Sequence, residues 1–380
     1  MRILITGGAG FIGQYLARRL HQGGHTVRIL DNMLPQVHGT SSTNDVQIEG
    51  EVIRADVRDP SSVASALRGI EVVYHLAAET GVGQSQYDMA RYVSTNTYGT
   101  AVVLQECVAA GVKQVVISSS RAIYGEGSHR CKVCESVFVP SERARATLDS
   151  GTWEIPCQKC GCPTHAIGTR ETSPANPVSV YGVTKLQQEQ LARVTAQAHD
   201  LPVTILRFFN VFGPGQSLAN PYTGVLGTFY RLASTDCEIE VYEDGKMLRD
   251  FVYVEDIVEA LVRSAGNSNT YHQAVNVGAG TPLALLDIAR QMFIALGKKP
   301  RVRITGRYRV GDVRHAFADT TLLEDTLGFL PRVTFGEGLR RYVEWARESE
   351  GMQQSANGNM DMQAASELES RQMLRQGDVK

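Results

Sequence analysis

The sequence predicts an α/β fold, a doubly wound parallel sheet carrying a smaller C-terminal α/β lobe, from three observations. Apolar strands and helical patterns alternate strictly through the first third. A glycine-rich turn joins the first strand to the first helix. Only one segment, residues 126–170, breaks the rhythm, and it is crowded with cysteine, proline and glycine.

In chain order, Arg2–Thr6 reads as a strand and Phe11–Gln22 as a helix with apolar residues at helical spacing. Strands follow at Thr26–Leu30, Val52–Ala55, Val72–Leu76 and Gln114–Ser118. Between them lie helices at Pro60–Arg68 and Val93–Ala110. Strand and helix in strict alternation imply a parallel sheet with helices on both faces. A helix resumes at Tyr181–His199 and a strand at Val203–Arg207. Beyond them the pattern is mixed, with short strands near Ile239–Tyr242 and Phe251–Tyr253 and helices at Asp256–Ser264 and Leu285–Leu296. The expected organisation is a dinucleotide-binding Rossmann domain over 1–203, interrupted by the 126–170 insertion. A partly interleaved substrate-binding lobe follows over 204–348. The Gln-, Ser-, Asn- and Met-rich stretch 349–380 lacks a sustained apolar pattern and is expected to be a flexible tail.

At 380 residues the chain can bury one large core or two ordinary ones. A net charge of -2 with 21% charged residues supplies no basic surplus for nucleic acid. No apolar run is long enough to span a membrane. The N-terminus starts directly on a strand pattern and lacks the features of a signal peptide, so a cytoplasmic protein is expected.

Gly7, Gly10 and Gly13 stand at Gly-x-x-Gly-x-x-Gly spacing in Thr6–Gly13. Gly7 permits the tight turn and Gly10 lets a pyrophosphate approach the helix N-terminus. Gly13 allows close packing of helix on strand. Asp31 ends the second strand, where a carboxylate accepts ribose hydroxyls and repels a 2′-phosphate. The dinucleotide expected is therefore NAD.

Tyr181 and Lys185 are one turn apart and project from one helix face. A phenol titrating near 10 is a poor base at neutral pH; a neighbouring ammonium and a nicotinamide cation both favour its phenolate. Ser118, Ser119 and Ser120 end a parallel strand, on the edge of the crevice where ligands bind in such sheets. One of these hydroxyls can hold a substrate oxygen while the tyrosine moves its proton.

Five of the seven cysteines fall between Cys131 and Cys162. Cys131, Cys134, Cys157 and Cys160 form two Cys-x-x-Cys knuckles suited to a closed, structural zinc site in a zinc-ribbon-like insertion. Cys162 and His165 are alternative donors. Cys107 and Cys237 are expected to be buried apolar positions.

As a set, Thr6–Gly13, Asp31, Asp56-Val57, His75–Ala78, Asn96, Ser118–Gly125, Tyr181/Lys185, Arg207–Asn210 and Arg249–Phe251 resemble the NAD-dependent epimerase/dehydratase family of extended short-chain dehydrogenases/reductases. The resemblance runs from Met1 to about residue 348. It implies that Phe11, Ile12, Asp56, Val57, Leu76, Ala77, Ala78, Asn96 and Phe209 contact the cofactor together with Tyr181 and Lys185. Ser120 takes the catalytic hydroxyl position, and Asn210, Arg249 and Arg309 hold the diphosphate of a sugar nucleotide. It also implies a homodimer through the helices Val93–Ala110 and Tyr181–His199. Dehydratases of this family place carboxylic acids just after the catalytic hydroxyl, where this chain has Arg121 and Ala122. The expected activity is therefore 4-epimerisation of a nucleotide-linked sugar. A 4,6-dehydratase or decarboxylase is the alternative within the family, and a non-catalytic NAD-sensing regulator the alternative outside it.

Overall fold

The computed structural model of the chain describes residues 1–38, 50–218, 220, 222, 224–352 and 359–377. Seven parallel strands form the central sheet in the order Ala274–Val277, Val203–Phe208, Gln114–Ser120, Val72–His75, Arg2–Thr6, Thr26–Asp31, Glu51–Arg54. Every residue of Gln114–Ser120 is buried, which explains its apolar run without alternation. One face packs Leu16, Ala17 and Leu20 of the first helix with Ile257 and Leu261 of the helix Val254–Ser264. The other packs Val102, Val103, Ala192 and Ala196 of Gly99–Ala110 and Val180–His199.

Ala274–Val277 had no place in the sequence reading. Only four residues long and buried throughout, it returns from the second lobe to the edge of the sheet, so the two lobes interleave. That second lobe closes on an aromatic core containing Phe212, Phe229, Tyr230, Phe251, Phe293 and Tyr342. The expected helix Val93–Ala110 is α-helical only from Gly99; Val93–Tyr98 is a wider π-turn. Such turns insert a residue into the helical ladder and re-aim side chains. Here Asn96 in the π-turn reaches the backbone of Glu79 and the hydroxyl of Thr184.

Within the insertion, the strands Val137–Phe138, His129–Cys131 and Thr164–Ala166 make an antiparallel sheet. Its docking onto the second lobe is ionic and buried. Arg143 lies 3.0 Å from Glu126 and 2.8 Å from Glu243. Arg314, fully buried, joins Glu154 of the insertion to Glu243 and Asp244 of the lobe.

The expectation of a flexible C-terminal tail is overturned for the described residues. Asn359–Ser370 is a helix, and Leu374–Gln376 pairs antiparallel with Arg307–Arg309. Leu368 and Leu374 are buried. Polar composition hid this because two buried leucines and a borrowed strand edge, rather than an apolar periodicity, hold the segment. No helix among the described residues is long and apolar enough to cross a membrane.

Candidate functional site

A cavity of about 860 Å³ runs along the C-terminal ends of the central strands, from the glycine turn to Arg309. At the turn, Gly7 has φ +69°, and a Cβ there would lie 2.7 Å from the backbone of Ala77. A Cβ on Gly13 would fall 2.5 Å from the carbonyl oxygen of Gly7, so only glycine lets helix and turn meet. Gly10 stands at the helix N-cap without a side-chain cap, where a phosphate could take the first amides. The carboxylate of Asp31 faces the cavity, fixed by the amides of Ala9 (3.1 Å) and Met33 (2.9 Å).

Phe11, Ile12, Val57, Leu76, Ala77, Ala78 and Phe209 line the same cavity. Two expected contacts do not. Asp56 gives both carboxylate oxygens to Arg58, at 2.9 and 2.7 Å, and that guanidinium holds its carboxyl down at about 2. Asn96 is fully buried behind the wall, fastening the loop after the Val72–His75 strand to the helix of Tyr181. Its role is to position the wall.

The three serines divide their work. Ser118 uses its carbonyl oxygen to accept Lys185 Nζ at 2.8 Å, and Ser119 donates to Glu189 at 2.5 Å. Ser120 faces the cavity with Tyr181, and its Oγ accepts the amide of Ala122. Lys185 Nζ lies 6.0 Å from the centre of the Tyr181 ring. Burial pushes the Tyr181 phenol above its usual 10, while the Ser120 hydrogen bond and the Arg121 cation pull it down. Burial brings the Lys185 ammonium down to about 7, with Glu189 opposing the change. Among protein groups, the sequence argument gave the acidifying role to Lys185, beside the nicotinamide cation. It missed Arg121, which lines the cavity next to the tyrosine, although its position directly after Ser120 was a usable signal.

Asn210, Arg249 and Arg309 lie together at the far end. The Nη donors of Arg249 are already engaged, by the carbonyls of Leu248, Val313 and Arg314 and by Asp312 at 2.9 Å. A forked grip on a diphosphate is therefore closed to it, and Nε is its remaining donor. Arg309 lies over the ring of Tyr242, 5.1 Å from its centre.

The sequence matches the family described as "NAD dependent epimerase/dehydratase family" over residues 3–143 and 159–278. The chain belongs to this family. It is 36% identical over 350 residues to a dTDP-L-rhamnose 4-epimerase of Burkholderia thailandensis, covering 90% of this chain and 94% of that protein. Among solved structures it is similar to a UDP-glucose 4-epimerase with UDP-glucose from Thermotoga maritima, at a TM-score of 0.75 and 28% identity over 92% of this chain and 99% of that one. A Thermus thermophilus UDP-glucose 4-epimerase in complex with NAD aligns at a TM-score of 0.71 and 27% identity, covering 91% and 99%.

Away from the cavity, the sulfurs of Cys131, Cys134, Cys157 and Cys160 all lie within 4.8 Å of one another. Contacts of 3.5 Å (Cys131 to Cys160), 3.7 Å (Cys134 to Cys157) and 3.6 Å (Cys134 to Cys160) are near the roughly 3.8 Å edge of a tetrahedron with metal–sulfur bonds of about 2.3 Å. Cys162 and His165 stand outside this group. Cys107 is buried as expected, whereas Cys237 is exposed, because it follows the C-terminus of the helix Val225–Ser234 at the surface.

Proposed function

We propose that the chain is a cytoplasmic, NAD-dependent 4-epimerase of a nucleotide sugar, with dTDP-L-rhamnose as its substrate. The observation that carries the reaction is the Ser120–Tyr181–Lys185 arrangement with Arg121 and Ala122 directly after Ser120. It can move a proton at C4 but has no carboxylic acid at those two positions to drive elimination at C5 and C6. The chemistry NAD would supply when bound is reversible hydride acceptance at C4 of the sugar. The glycine turn and Asp31 would hold that cofactor at its pyrophosphate and adenosine ribose, and Lys185 would hold its nicotinamide ribose. Ser120 Oγ holds the C4 oxygen while Tyr181 Oη takes its proton. The resulting 4-keto sugar turns over, and Tyr181 gives the proton back after hydride returns to the opposite face. Asn210, Arg249 Nε and Arg309 keep the diphosphate in place meanwhile, so that binding energy lies in the part of the substrate that does not react.

The sugar assignment is supported by the resemblance to the Burkholderia protein over nearly the whole chain. Purified protein incubated with dTDP-L-rhamnose, without added cofactor, is expected to form the C4 epimer, seen by NMR as inversion at that carbon. Turnover of UDP-glucose but not dTDP-L-rhamnose would reject the sugar. A 4-keto-6-deoxy product from dTDP-glucose would reject the reaction.

The four clustered thiols fit a structural zinc ion. All four positions would be protein sulfur, which leaves no site for water or substrate. Elemental analysis is expected to find about one zinc per chain, by one closed site. Chelation should lower the melting temperature more than it lowers dinucleotide content, because the cysteines lie outside the cavity. Metal-free protein with an unchanged melting temperature would refute this.

Val93 and Tyr98, with Val183 and Val194 of Val180–His199, are large apolar side chains left exposed on two adjacent segments. They suit a homodimer built on a helical interface.

A further inference from the structure

The C-terminal segment crosses from one lobe to the other along the cavity. At one end, Glu367 Oε2 accepts hydrogen bonds from the phenols of Tyr87 (3.0 Å) of the Rossmann domain and Tyr222 (2.8 Å) of the second lobe. The Arg371 guanidinium stacks 4.4 Å from the centre of the Tyr87 ring. At the other side the strand Leu374–Gln376 zips onto Arg307–Arg309, placing Leu374 opposite Arg309. The zip extends past both ends, with Val310 N donating to Met373 O and Gly377 N to Gly306 O, each at 2.9 Å. Between these anchors, Ala365, Leu368 and Met373 form part of the cavity wall, near Gly83, Tyr222 and Arg309.

Arg309 depends on this segment. Its own strand is three residues long and pairs only with Leu374–Gln376 among the described residues. Its guanidinium has the Tyr242 ring beneath it and no hydrogen-bond partner among the described residues, so its donors are free for a ligand. A two-stranded ribbon is marginal unless something packs on it; here Tyr308, bonded to Asp149, is the buried residue of one strand and Leu374 that of the other, with Leu368 buried in the preceding helix.

Resting on the reading of the cavity as a nucleotide-sugar site, we infer that residues 365–377 are a built-in wall of its diphosphate end. They fix Arg309 toward the substrate and cover the bound diphosphate with apolar surface. Arg309 is exposed, so the segment acts by holding its strand in place, which lowers the ordering cost of the charge-assisted bonds it makes to phosphate. The site is incomplete without this segment.

The test uses the full-length chain. Leu374→Asp places a carboxylate in the buried seam of the ribbon, and Leu368→Asp does the same at the helix. Calorimetric binding of deoxythymidine diphosphate is read beside dinucleotide content, which reports folding of the Rossmann domain. Each variant is expected to weaken nucleotide binding by about tenfold or more, the worth of one charge-assisted hydrogen bond, with dinucleotide content unchanged. In an Arg309→Ala background the Leu374→Asp penalty should shrink to less than about threefold, since the two changes remove one interaction. Binding by Leu374→Asp within about twofold of wild type would overturn the inference, as would a penalty of equal size in both backgrounds. If wild-type protein binds no nucleoside diphosphate, the reading of the cavity itself fails. That outcome is distinguishable because it needs no variant.

Discussion

Tyr181→Phe is expected to lower epimerisation of dTDP-L-rhamnose by about a thousandfold while the protein retains its dinucleotide, since a positioned proton-transfer group contributes on the order of 10²–10⁴ in rate. The phenol lines the cavity with Ser120 and Arg121 and stands one helical turn from a buried amine. Burial alone would make it a worse base than free tyrosine, so the opposing pull of Ser120 and Arg121 matters before any cofactor charge is added. Phenylalanine keeps the ring and its edge-on contact with Tyr92, at 6.5 Å between centres, so the loss should appear in kcat with little change in substrate affinity. Turnover within about tenfold of wild type would remove Tyr181 from the proton-transfer role.

Lys185→Met should abolish most activity and yet stabilise the dinucleotide-free protein. The ammonium is buried, and its titration falls from an ordinary 10.5 to about 7 in the fold, chiefly through burial. At about 1.4 kcal/mol per pH unit, the charged amine costs the fold several kcal/mol. The sign follows from proton uptake. Below about pH 7 the lysine is charged both folded and unfolded and the penalty is complete; between there and 10.5 the folded state carries fewer protons, so stability rises with pH. Methionine removes the penalty, less what is lost when the Ser118 carbonyl gives up its donor. A rise in melting temperature of about 3–5 °C at pH 6, shrinking as pH approaches 10, is expected from calorimetric scans. A gain independent of pH would mean that burial of the charge is not its source. The conflict between stability and activity at one residue is common where a site keeps a charge in a dry place.

What could be read in the sequence was what short-range geometry dictates. Gly13 is required by backbone contacts a few residues away, at Gly7 and Gly8, and Tyr181 and Lys185 share a face because a helix turns every 3.6 residues. The two Cys-x-x-Cys pairs also met as expected, each pair being a local turn. What failed depended on partners distant in the chain. Arg249 was credited with donors that the carbonyls of Val313 and Arg314 and the carboxylate of Asp312 already use. The strand Leu374–Gln376 exists because Arg307–Arg309 offers it an edge, and nothing in its own sequence announces that.

The buried ionic seam beneath the insertion limits how this protein could have been assembled or could be re-engineered. Arg143 serves Glu126 and Glu243 at once, and Glu154 shares Arg314 with Glu243 and Asp244. Cutting out the 126–170 insertion would remove Arg143 and leave buried Glu243, together with Asp244, sharing the single positive charge of Arg314, and loss of one partner from a buried ion pair is strongly destabilising. A shortened loop would need a matching change at Glu243. Loop and scaffold must therefore change together, as a lock and its key are cut.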